Sequence, residues 1–69
     1  MISEADALAR AEQAVRASDV DPGDRRRSVA VRGDDYEVVF HAPPDMLAGD
    51  FTVLVDRASG AITSERFER

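Results

Sequence analysis

Phe51-Thr52-Val53-Leu54-Val55-Asp56-Arg57-Ala58-Ser59-Gly60-Ala61-Ile62 is the stretch whose reading decides the fold. Phe51, Val53 and Val55 alternate with Thr52, Leu54 and Asp56, and a period of two puts the two sets on opposite faces of a strand. Asp56 to Gly60 then reverses the chain. An Asp carboxylate caps its own turn, and Gly takes the positive φ that closes a short hairpin loop. The return strand runs from Ala61 to Phe67.

Upstream, Tyr36 to Ala42 repeats the alternation, with Tyr36, Val38 and Phe40 set against Glu37, Val39 and His41. Gly33-Asp34-Asp35 is a turn, and Ser28 to Arg32 before it is a short strand with Val29 and Val31 on one face. Ser18 to Asp24 is a break, because Pro22 cannot continue a helix and Gly23 disfavours one. Before the break, Glu4 to Ala17 is rich in Ala and lacks Gly and Pro, which is high helix propensity. Ser3 is its N-cap, and Glu4 and Asp6 suit the positive end of the helix dipole. Leu8, Ala11 and Val15 form a thin apolar stripe with Ala5 at its margin, while Arg10, Gln13 and Arg16 point away from it. Small side chains on that stripe let the helix lie close to a sheet.

These elements predict one α+β domain over residues 1–69: an N-terminal helix packed on three or four antiparallel strands, a two-layer sandwich. The longest connection, Pro43 to Asp50, holds two prolines that cannot join a ladder. Met46 and Leu47 within it are read first as a cover tucked under the fold and second as an exposed contact.

At 69 residues the core must be small, and with no Cys there is no disulfide to reinforce it. A partner surface, including a second copy, is therefore a reasonable source of further stability. Apolar residues make up 43 % of the chain and charged residues 33 %, a globular rather than a disordered balance. The net charge of −5 argues against nucleic acid as a partner, since binding it needs a positive face. Arg25-Arg26-Arg27 is the exception and reads as a solvated loop leading into a strand. All nine basic residues are Arg and eleven residues are Ala, a bias that GC-rich bacterial genomes produce. No apolar run is long enough to span a membrane, and Met1 to Glu4 does not open a signal peptide. The expected location is cytoplasmic, with no membrane partner.

Several residues together resemble a known pattern. Ile2-Ser3 followed by Ala7 and Ala9, the strand Tyr36-Glu37-Val38, and Phe51 to Asp56 with Ser59-Gly60-Ala61-Ile62 are similar to the PepSY family. Leu47-Ala48-Gly49 ahead of Val55-Asp56 and Ile62 also resembles small bacterial immunity proteins of the YrhB type. The resemblance implies a non-catalytic binding or inhibitory module and carries no catalytic residue onto this chain.

His41 is the single His, and a general-base role for it would need an orienting carboxylate and a nucleophile nearby. No Ser sits in a Gly-x-Ser-x-Gly setting. Asp19, Asp21 and Asp24 do not follow the order of a calcium loop, and Arg25 to Arg27 would repel a cation. Arg32-Gly33-Asp34 spells an adhesion tripeptide but is an ordinary turn. No cofactor or metal is expected.

The expected function is a non-catalytic protein-interaction module rather than an enzyme, with an acidic inhibitor or immunity-type protein as its sharpest version. Val39, His41 and Leu54 on the uncovered sheet face, with Met46 and Leu47 in the long loop, are the expected partner contacts. Val39 and Leu54 could pair there as a small apolar patch. A structural homodimer and a small-ligand binder or enzyme are the alternatives. A deep polar pocket around His41 would favour the enzyme.

Overall fold

The computed structural model describes residues 1–44 and 49–67. In chain order these form α1 (Glu4–Ala17), β1 (Arg27–Arg32), β2 (Asp35–Phe40), β3 (Phe51–Asp56) and β4 (Ile62–Phe67). The strands make one antiparallel sheet in the order β1-β2-β3-β4, so each strand pairs with its neighbour in sequence. With α1 against one face, the fold is the expected α+β arrangement, with four strands. The expected Met46 and Leu47 cover falls at 45–48, outside the described residues.

The helix starts where the cap directs it. Ser3 is extended, and its Oγ accepts the Asp6 N–H at 3.1 Å, satisfying one of the orphan amides of the first turn. Its C-terminal end is closed by the Ser18 and Val20 amides, which donate to carbonyls of the last turn, and by Asp19 at φ 61°. Asp21 then bonds the Gly23 amide at 3.0 Å, and the turn at Pro22–Gly23 delivers the chain to β1.

The buried stripe of α1 is Ala7, Ala11 and Val15, all fully excluded from solvent. This corrects the expected stripe by a rotation of the helix. Ala7 replaces Leu8 at its centre, Leu8 is half-buried at the margin, and Ala5 is exposed. Two Ala at i and i+4 allow a closer helix–sheet approach than a Leu at the centre would, and Leu8 then covers the side of the contact. Opposite the stripe lie Tyr36, Val38 and Phe40 of β2 and Phe51, Val53 and Val55 of β3. The β2–β3 register aligns Tyr36 with Val55, Val38 with Val53 and Phe40 with Phe51, so each core residue faces another across the ladder.

The two outer strands are less covered. Val31 on β1 is 55 % exposed although it shares a face with Val29, because the helix sits over the inner strands and β4. All six residues of β4 are exposed. A register shift leaves Thr63 as an extra residue between the Leu54–Ser64 and Val55–Ile62 pairs, and its hydroxyl donates to the Leu54 carbonyl at 3.2 Å. Phe67 caps the lower corner, edge-to-face on Phe51 with ring centroids 5.7 Å apart.

Arginines close the two ends. Arg27 is the first residue of β1 rather than part of a solvated loop. Its guanidinium lies over the Phe40 ring and pairs with Glu12 of α1 at 2.7 Å. At the opposite end Arg57 lies over Tyr36 and donates to the Gly33 carbonyl, while the Tyr36 hydroxyl donates to the Ile2 carbonyl. The Arg10 side chain, expected to point away, reaches the last hairpin and donates to the Gly60 carbonyl at 3.3 Å.

Two substitutions test this packing. Replacing the fully buried Ala11 by Leu should overpack the helix–sheet contact and cost about 1–3 kcal/mol in chemical denaturation, whereas the exposed Ala9→Leu should be close to neutral. Equal effects would contradict the close approach. Gly60→Ala should also destabilise: φ there is +79°, and a Cβ would lie 2.6 Å from the Arg10 guanidinium carbon.

Candidate functional site

The strand period leaves a second face that α1, the one helix among the described residues, does not cover. It carries Ser28, Ala30 and Arg32 from β1, Asp35, Glu37 and Val39 from β2, Thr52 and Leu54 from β3, and Ser64 and Arg66 from β4. Val39 and Leu54 are both half-buried there. They are not directly opposed: Val39 pairs with Thr52 and Leu54 with Glu37, which makes the two apolar residues diagonal neighbours. The patch is thus a short oblique band with Ala30 and Thr52 beside it.

Charges frame that band. Arg32 pairs with Glu37 at 2.8 Å across the first hairpin, an exposed bond that contributes little to stability. Asp35 lies beyond it. A depression of about 230 Å³ runs between Arg32 and Asp35 on one side and Ser64 and Arg66 on the other, with Leu54 and Thr52 as its floor.

At the far end of the same face β2 passes into His41. The ladder continues one step past the strand, since the His41 N–H donates to the Arg26 carbonyl at 2.8 Å. The Ala42 N–H donates to Asp50 Oδ1 at 2.8 Å, which pins that carboxylate beside the strand end. The other carboxylate oxygen, Asp50 Oδ2, is 3.6 Å from His41 Nδ1. On its other side His41 Nε2 is 2.9 Å from Ser28 Oγ. A ring protonated on Nδ1 would turn that proton toward the carboxylate and leave Nε2 to accept from the serine hydroxyl. The structure thus brings a serine hydroxyl and a carboxylate to the two sides of the His41 ring.

A cleft of about 340 Å³ opens next to this cluster, with His41, Arg25, Arg26, Pro43 and Pro44 among its walls. Arg25 is held there by a bond to the Gly49 carbonyl at 3.2 Å. Of the expected contacts, the fold thus brings Val39, Leu54 and His41 to one face. Met46 and Leu47 lie outside the described residues. Ser28 and Asp50 were missed. Ser28 could have been found by counting the first hairpin from Gly33–Asp34, which pairs Ser28 with Val39 and places it diagonal to His41. Nothing in the sequence marks Asp50, which approaches from across the long loop.

Among the described residues no group of three or more His, Cys, Asp and Glu is arranged to hold a metal ion. The acidic run before Arg25 instead shapes the turn, through Asp21. No helix among the described residues is long and apolar enough to cross a membrane. No family model, curated protein or solved structure matches this chain.

The loop at the other end of β3 has one perturbed group. The Ser59 hydroxyl and then the Ser59 amide bond the Asp56 carboxylate, and together they hold its pKa below the ordinary value. A lowered folded value stabilises the fold above the ordinary Asp pKa of about 3.9, and that contribution is lost as pH falls through the depressed value. Ser59→Ala should move the Asp56 titration, followed by carboxyl-carbon NMR, up toward the ordinary value. An unmoved titration would show that the hairpin bonds do not set it.

Proposed function

We propose that this protein is an interaction module that binds a basic protein partner on its uncovered sheet face. The observation that carries this reading is the oblique Val39–Leu54 band, which lies on the face that α1 does not cover and is bordered by Glu37 and Asp35 together with Arg32 and Arg66. Apolar residues at the centre with charged residues around them is the usual anatomy of a protein–protein contact. The net charge of −5 would steer association toward a basic surface. An inhibitor or immunity-type role is the sharpest form of the proposal, supported by the residues similar to PepSY and YrhB-type proteins and by that charge.

A homodimer is a second reading, favoured by different features. Among the described residues no further strand pairs with the outer edges of β1 and β4, and Val31 and Phe67 (44 % exposed) lie beside them.

The readings separate in one experiment. Wild-type protein and the Val39→Asp and Leu54→Asp variants are compared in light scattering and in capture from a native lysate, with circular dichroism to confirm that each variant folds. The proposal expects a monomer at every concentration and a stoichiometric basic partner. Capture of that partner should weaken with salt and fall at least tenfold in both variants. Equal capture by all three proteins would contradict the docking face. A concentration-dependent dimer that survives both substitutions would favour the edge-paired homodimer.

A further inference from the structure

Ser28, His41 and Asp50 come from β1, the end of β2 and the start of β3, and the sheet register brings them into line at one end of the uncovered face. Ser28 is exposed, and its hydroxyl is within hydrogen-bond reach of His41 Nε2 at 2.9 Å. The far side of the ring faces Asp50, whose second oxygen is fixed by the Ala42 amide. A hydroxyl, an imidazole that accepts its proton and a carboxylate that orients the imidazole make up the minimal set for nucleophilic attack by serine. The 3.6 Å gap between Nδ1 and Oδ2 is of the loose kind that tightens when a substrate is engaged.

The position of the cluster adds to this. His41 touches Ser28 on one side and forms part of the adjoining cleft on the other, where Asp24 and Arg26 also line the wall. Arg26 is exposed on the cleft wall, where it can hold a carboxylate. β1 is an edge strand, so Ser28 stands at the border of the sheet.

We propose that Ser28 is an activated nucleophile, with His41 as its general base and Asp50 as a positioning residue, that takes the acyl group of small carboxylic esters bearing an anionic group. This goes beyond the docking role and does not depend on it. Ser28 Oγ attacks the ester carbonyl carbon while its proton passes to His41 Nε2. The bond from that carbon to the leaving oxygen breaks, and the alcohol departs with the proton from Nε2, leaving an acyl ester on Ser28. Water then repeats the sequence: it adds to the acyl carbon, gives its proton to Nε2, and the Ser28 oxygen leaves and recovers that proton. The sum is ester plus water giving acid plus alcohol.

The test uses the full chain with a fluorophosphonate probe, which a nucleophilic serine attacks with loss of fluoride, and locates the adduct by peptide mass. The expected result is one adduct, on Ser28. His41→Gln should slow its formation by about 100-fold or more, the low end for a lost general base. Asp50→Asn should slow it less and shift its pH profile, and Asp50→Glu should restore part of the rate. Ser59→Ala, in the last hairpin, should change nothing. In a second arm, 4-nitrophenyl hydrogen succinate should be cleaved at least fivefold faster than 4-nitrophenyl acetate, and Arg26→Ala should remove that preference. No adduct at Ser28, adducts spread equally over the other serines, or a rate indifferent to His41→Gln in a variant with wild-type circular dichroism would overturn the nucleophile. Equal cleavage of the two esters would overturn the anionic substrate class.

Discussion

The close seating of Ala7, Ala11 and Val15 on Val38, Phe40, Val53 and Val55 is the contact on which the molecule depends. A domain of this size gains little from its core beyond what chain ordering costs, so it cannot spread its apolar residues over two faces. One helix with two alanines at its centre lies close to the sheet, and the largest fully buried side chain, Phe40, fills the space near its C-terminal end. Helix and sheet are then joined at both ends by side chains that reach across: Arg27 to Glu12 at one, Tyr36 to Ile2 at the other, with Arg10 bound to the last hairpin. The two guanidinium groups lying over Phe40 and Tyr36 extend the apolar layer with charged residues, which suits a chain with few aromatic ones.

Spending the core on one face leaves the other uncovered by α1. The strand period that sends Val38 and Val53 inward necessarily sends Val39 and Leu54 outward. The same alternation puts Ser28 and His41 on the outer side together. The Val39–Leu54 band and the Ser28–His41–Asp50 cluster are thus neighbours on one surface, with Ser28 opposite Val39, and share a single structural cause. The cluster also sits where regular pairing stops. Beyond Phe40 the ladder makes one more bond, at His41, and prolines follow, so backbone groups there turn to side chains such as Asp50 for partners.

Much of the architecture was legible because it rests on local chemistry. Ser3 at the cap, the Pro22–Gly23 break, the Gly33–Asp34 turn and the Asp56–Gly60 loop each carry their signal within a few residues, and the elements between them follow. The rotation of the helix was not legible. Leu8 and Ala7 are both apolar, and only the separation of helix and sheet decides which one points inward. The exposure of Val31 was hidden for a similar reason, since alternation identifies a face but not how far a single helix extends over it. The cluster was hidden because it needs register. His41 looks isolated until β1 is aligned with β2, and Asp50 is brought to it by the path of a loop rather than by spacing.

The central claim is that one face of the sheet is sealed by α1 while the other stays open. Adjacent residues on β3 sample the two faces, and the chain has no native Cys to interfere. Val53→Cys and Leu54→Cys, made singly and treated with a thiol reagent under native conditions, measure the difference directly. The account predicts that the thiol at position 54, half-buried in the native protein, reacts at least a hundredfold faster than the fully buried thiol at 53. Equal protection at both positions, with both variants folded, would contradict it.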